Sequence, residues 1–198
     1  MTAPVKSGVV TRILDFWFGA PGSAEYGKPR MMWFKSGDTL DAEIRTRFEA
    51  DWHRAMAGDY DDLTGDARGA LAIIILLDQF PRNMFRATAQ AFASDSRALQ
   101  IAIQSVDAGF DEELAELERM FMYLPFEHAE DIAMQDRAVS LMSGLSDPQY
   151  LDYAHKHRDI ILRFGRYPYR NDVLGRANTA EEEAWMNDPT AESFGQKK

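Results

Sequence analysis

The most concentrated polar feature of the chain is FEHAEDIAMQDR, residues 126–137. Glu127, Asp131 and Gln135 stand at i, i+4 and i+8, which on one continuous helix makes a polar stripe flanked by His128 and Glu130. A carboxylate stripe of that kind can hold a divalent cation, or divide acid and base work among its members. Acids at helical spacing also serve simply to face water or to pair with arginines. No pair of helices carries the Glu-x-x-His spacing of di-metal bundles, so no metal and no cofactor is expected.

Two further motifs supply the opposite charge. LLDQFPRNMFR contains Phe80-Pro81-Arg82-Asn83, and RFGRYPYRN contains Tyr167-Pro168-Tyr169-Arg170-Asn171. Each follows an apolar helix that its proline is expected to end, and each asparagine suits the turn that follows. The arginine is thereby presented at a fixed place beside the core. From Asp107 to Asp136 there are ten acidic residues and one basic, Arg119; from Lys156 to Arg176 there are six basic residues against Asp159 and Asp172. Such blocks can neutralise each other through bidentate arginine–carboxylate pairs, or surplus arginines can line a pocket for a carboxylate or phosphate. Pairing is the favoured account, because inward-facing arginines are rarely left unpaired. It predicts that Arg82 and Arg170 both reach the acidic EHAED helix. His157 falls on an apolar stripe and reads as a hydrogen-bonded core histidine; His155, two residues away, points elsewhere and cannot easily share a metal with it.

The elements that position these residues read as helices throughout. Val9, Ile13 and Trp17 open a stripe stopped by Gly19. Leu40, Ile44, Phe48, Trp52 and Met56 recur every four residues until Gly58. Residues 67–79, ARGALAIIILLDQ, are apolar almost all round and form the expected central buried helix, ended by Pro81. Asp111 starts a helix through Leu124, and Pro125 starts or kinks another running on to Met142. Asp147-Pro148 is a helix start, Gly165 a helix stop, and Thr179-x-x-Glu182 a capping box. No alternating strand pattern appears. The fold class is therefore all-α: a compact bundle or solenoid of seven to eight antiparallel helices, in one domain over 1–198 with loose tails at about 1–8 and 187–198.

Composition bounds the function. With 198 residues, 45% hydrophobic and 12% aromatic, the chain can bury a sizeable core. A net charge of −10 argues against nucleic acid or an anionic membrane surface as partner. The absence of cysteine removes thiolate chemistry and disulfides. The longest apolar run, Ala70 to Leu77, falls well short of the ~20 residues of a membrane span, and the N-terminus lacks a cleavable signal, so a cytoplasmic location is expected. No phosphate loop, dinucleotide fingerprint, His-Glu-x-x-His or Gly-x-Ser-x-Gly motif is present.

DFWFG, LLDQFPRNMFR, YLPFEHAEDIAMQD, HRDIILRFGRYPYRNDVLGR and TAEEEAW, in that order, resemble a bacterial family called domain of unknown function 924. The similarity runs from about residue 9 to the Phe194-Gly195-Gln196 tail. It implies a helical fold similar to tetratricopeptide repeats and implies no reaction. The family's recurring motifs correspond to Asp78, Gln79, Arg82, Asn83, Glu127, His128, Asp131, Arg163, Arg166, Arg170 and Asn171. The preferred functional expectation is a non-catalytic module that binds a peptide or small anionic ligand. Arg82, Asn83, Glu127, His128, Asp131, Arg163, Arg166, Arg170 and Asn171 are its candidate contacts, with Trp17, Trp33 and Tyr167 as apolar walls. Two alternatives stay open: an enzyme using Glu127, His128 and Asp131 as acid, base or metal ligands, and a purely structural ion-pair network. The ligand and the oligomeric state are not legible in the sequence.

Overall fold

A computed structural model of the chain describes residues 3–33, 37–192 and 194. Gly195 and Gln196 of the motifs above, and the outer parts of both expected loose tails, lie outside the described residues. The apolar run at 70–77 decides the architecture. Helix α3 (Ala67–Ile74) passes through a π turn (Ile75–Gln79) into α4 (Phe80–Met84), making one rod. Every residue from Ala70 to Leu77 is buried. A helix apolar on all sides must be surrounded. Around this rod pack α1 (Ala3–Phe18), α2 (Asp38–Ala57), α5 (Asp95–Asp107) and α6 (Glu116–His128). Asp66 caps the rod by accepting from the Gly69 amide. Gly69 is required there, since a Cβ would sit 1.9 Å from the Leu63 carbonyl oxygen.

Pro81 does not end the rod as the sequence predicts. The helix continues one further turn to Met84, because the chain widens just before the proline: the Phe80 amide bonds to Ile75 O, five residues back. Pro81 has no N–H to give Leu77 O, its α-helical partner. The Ser94 hydroxyl donates to that carbonyl instead, and Trp52 Nε1 donates to Ser94 Oγ at 3.0 Å. Ser94 is thus locked to the rod, and Asp95, the first residue of α5, is placed beside it.

A second difference lies in EHAED. The helix expected to run from Pro125 to Met142 breaks: α6 stops at His128, and α7 (Ile132–Met142) starts afresh with Asp131 as its N-cap. The extended backbone of Asp131 (φ −144°) lets its carboxylate accept from the Ala133 and Met134 amides at 2.8 and 3.1 Å. Glu127, Asp131 and Gln135 therefore do not share a helix face. Gln135, buried on α7, presents its amide nitrogen to the Glu127 and Ala129 carbonyls, 2.7 Å each, and satisfies the open end of α6.

A third difference is the start of α6: Asp111 lies in a separate 3-10 turn (Phe110–Glu113), the chain is extended at Leu114 and Ala115, and the helix begins at Glu116 and runs through Pro125. Later elements follow their signals. α8 (Pro148–Phe164) is capped by Asp147 and closed by Gly165 at φ 70°; α9 (Ala180–Met186) opens with the Thr179/Glu182 capping box. α7 packs along both α6 and α8. The fold is all-α, with no strand among the described residues.

Candidate functional site

The π turn, the start of α5, the end of α6 and the YPYRN turn converge on one buried polar cluster. At its centre is Asp78, fully buried in the π turn. Its Oδ1 accepts from His128 Nδ1 at 2.7 Å and its Oδ2 from Gln79 Nε2 at 2.6 Å; Arg82 Nη1 lies 3.4 Å away. Burial opposes ionisation of Asp78. The Arg82 charge, His128 and the two hydrogen bonds outweigh it and hold the carboxyl well below the usual range. Burial, then Arg82, pushes His128 down, which favours the neutral imidazole; facing the ionised Asp78, Nδ1 is the donor, which leaves the lone pair on Nε2.

Arg82 bonds in parallel to both oxygens of Asp95, 3.0 Å each, and its Nη1 also donates to the Asp78 carbonyl. Arg170 approaches the same Asp95 from the YPYRN turn, with Nη1 at 3.6 Å, and that nitrogen donates to His128 O at 3.1 Å. The guanidinium carbon of Arg170 lies 4.6 Å from the Phe92 ring centroid and 4.4 Å from that of Tyr167, over the faces of both rings. Such contacts fix a guanidinium plane. The two arginines thus meet at Asp95; Arg170 also reaches the EHAED segment the sequence suggests, but through the His128 carbonyl and not through a carboxylate hydrogen bond. In EHAED, Glu130 pairs instead with Arg176 and accepts from the Tyr167 amide.

One edge of Arg170 is left over. The residue is 3% exposed, yet Nε and Nη2 form no hydrogen bond among the described residues. These two atoms carry the parallel N–H bonds of the side-on edge, which matches a carboxylate or phosphate. The neighbouring Tyr169 hydroxyl interacts with the guanidinium but makes no hydrogen bond of good geometry.

Behind Asp78 lies a second acid–imidazole pair. Glu127 is buried; its Oε2 is 3.4 Å from His157 Nδ1, and its Oε1 has no partner among the described residues. Burial, reinforced by the charge of Asp78, pushes the Glu127 carboxyl up to about 8. Burial pushes His157 down to about 3, and its Nδ1 donates to Tyr153 O at 2.9 Å. Phe194 stacks on that imidazole at 3.6 Å between ring centroids. At neutral pH the cluster thus holds a protonated carboxylic acid, two neutral imidazoles and two arginine–carboxylate pairings. A carboxylate-oriented neutral imidazole is also the arrangement that positions general bases.

Among the sequence candidates, the structure brings together Arg82, Glu127, His128, Arg170 and Tyr167. Asn83 donates to Asp41, Arg163 pairs with Glu181 at an exposed site, and Asn171 donates to Asn178. Arg166 holds Glu182 through two bonds and the Ala177 carbonyl through a third. Trp17 and Trp33 pack with Phe121 in the aromatic core. Asp131 is an exposed cap, so Asp131→Ala is expected to cost about 1 kcal/mol in urea unfolding; a loss above ~3 kcal/mol would place it in the buried network after all. Three members escaped sequence reading: Asp95 looks like any acid in a first helical turn, Ser94 like any cap, and Phe92 like an ordinary core residue. Among the described residues no group of three or more His, Asp or Glu could hold a metal ion, and no helix is long and apolar enough to cross a membrane.

The sequence matches a family described as bacterial protein of unknown function, DUF924, over residues 13–190. The chain belongs to this family. It is also similar to the solved structure of a protein of unknown function from Agrobacterium tumefaciens, with 38% identity over 92% of this chain and 98% of that one, and a TM-score of 0.83. No curated protein matches. These DUF924 likenesses agree with the all-helical fold and attach no reaction to it.

Proposed function

We propose that this DUF924 protein binds a small anionic ligand at the side-on edge of Arg170. The observation that carries the reading is the buried guanidinium with Nε and Nη2 unpartnered while Nη1 is held in place. A buried donor without an acceptor costs about 1–3 kcal/mol, more when charged, and an anion arriving in the guanidinium plane removes that penalty. Asp95, Phe92 and Tyr167 hold the arginine rigidly, so binding requires little further ordering. A small ligand fits better than a peptide, because the donors lie beside the half-buried Phe92 ring and the fully buried Tyr167 ring and not along an open groove.

Calorimetric titration of the full chain with acetate, benzoate, sulfate and phosphate, at constant ionic strength, tests this. At least one anion is expected to bind saturably and to raise Tm; a concentration of 100 times Kd corresponds to about 2.7 kcal/mol of stabilisation. Arg170→Lys retains charge but lacks the two-donor edge, and is expected to weaken binding about tenfold or more. Arg163→Ala, at the exposed pair, should leave binding unchanged. Equal responses in wild type and Arg170→Lys, or none in either, would remove the reading.

A further inference from the structure

The cluster around Arg170 has unmatched donors but no unmatched charge. Arg82 and Arg170 carry two positive charges, and Asp78 and Asp95 carry two negative ones. The remaining groups facing the cluster are neutral: His128 and His157 by their lowered basicity, Tyr167 and Tyr169 as phenols whose ionisation burial disfavours, and Glu127 as the protonated acid. The neighbouring Arg176–Glu130 pair is balanced as well. A ligand therefore finds hydrogen bonds for its oxygens without a counter-charge, and each additional buried charge on it carries a desolvation penalty of several kcal/mol.

Shape restricts the ligand further. The faces of Phe92 and Tyr167 lie against the Arg170 guanidinium, and aromatic faces are electronegative. A carboxylate bound side-on keeps both oxygens in the guanidinium plane. A tetrahedral oxyanion bound by the same two oxygens projects its others out of that plane, and beside a guanidinium this deeply buried it needs room there that a planar carboxylate does not. Charge and shape thus select the same class.

We propose that the ligand is a monocarboxylic acid bound as its anion, and that doubly charged tetrahedral anions are excluded. This rests on the anion-site reading above. The Tyr169 hydroxyl, beside the guanidinium and without a good hydrogen bond of its own, is the next donor available to the carboxylate.

The experiment compares acetate and benzoate with sulfate at equal ionic strength, by calorimetry and by shifts of amide resonances near residues 167–171, at pH 6 to 7 where Glu127 keeps its proton. Acetate and benzoate are expected to bind at least tenfold more tightly than sulfate. Inorganic phosphate should bind more tightly near pH 5.5, as the monoanion, than near pH 7.5, as mostly the dianion. Tyr169→Phe should weaken carboxylate binding several-fold while leaving Tm nearly unchanged; it serves as the mild variant if Arg170→Lys folds poorly. Sulfate binding as tightly as acetate, still dependent on Arg170, would overturn the monocarboxylate assignment and leave the anion site standing. No response to any anion would overturn both.

Discussion

Arg82→Met is expected to destabilise the fold by about 3–5 kcal/mol in urea unfolding, the range for breaking a buried ion pair from one side. The substitution keeps the volume of the aliphatic stem and removes four interactions at once: both bonds to Asp95, the bond to the Asp78 carbonyl, and the charge beside the Asp78 carboxylate. Asp78 is the decisive partner, because it is fully buried and, among the described residues, has His128 and Gln79 as its remaining hydrogen-bond partners. Its lowered pKa gives the sign with pH. The contribution is present above the ordinary aspartate value and disappears as pH falls through the lowered one. Wild type should therefore lose more stability on acidification than Arg82→Met does, and the two curves should converge in acid. Arg163→Met, which breaks an exposed pair with Glu181, should change stability by under ~1 kcal/mol. An Arg82→Met loss equally small would mean that Asp78 is solvated or protonated in the folded protein.

Glu127→Gln is expected to stabilise the protein in alkali. The Glu127 carboxyl is pushed from 4.5 up to about 8 by burial and by Asp78. A group with a raised folded pKa gives stability that is complete below the unfolded value and is lost as pH rises to the folded one. Over that interval the loss is on the order of 5 kcal/mol, and glutamine, which does not ionise, avoids it. The variant and wild type should have similar stability near pH 5 and diverge steadily to about pH 8, with the variant higher. The acid side has the opposite sign. His157, pushed down to about 3, gives stability present above the ordinary histidine value and lost as pH falls below it. Wild type should thus be most stable in a narrow window between the two, and Glu127→Gln should widen that window upward. Parallel pH profiles for the two proteins would mean that Glu127 ionises freely, and with it the charge balance that selects a monoanion would fail.

Much of the fold was legible because its signals are local. The all-round apolar run at 70–77, the Asp147-Pro148 start, the Gly165 stop and the Thr179/Glu182 box each act within a turn or two of themselves, so spacing along the chain suffices to read them. The misread ends at Pro81 and within EHAED had non-local causes. Pro81 is tolerated because Ser94, 17 residues from Leu77, satisfies the carbonyl the proline cannot. The α6–α7 break persists because Gln135 and the Tyr167 hydroxyl occupy the carbonyls exposed at the end of α6. In sequence the same stretch reads as unbroken helix.

The candidate site divides along the same line. Sequence by itself determined the inventory: an all-helical chain with two arginines at proline-bearing turns, a Glu127-His128 dipeptide, and no motif for metal or nucleotide chemistry. Only the tertiary structure decided the pairing. Asp95 became the common partner of Arg82 and Arg170, Asp131 became a cap, and one edge of Arg170 remained without an acceptor. The physical reason is that helical periodicity fixes which face a side chain occupies, whereas ionisation and pairing depend on burial and on groups tens of residues away, which spacing does not encode.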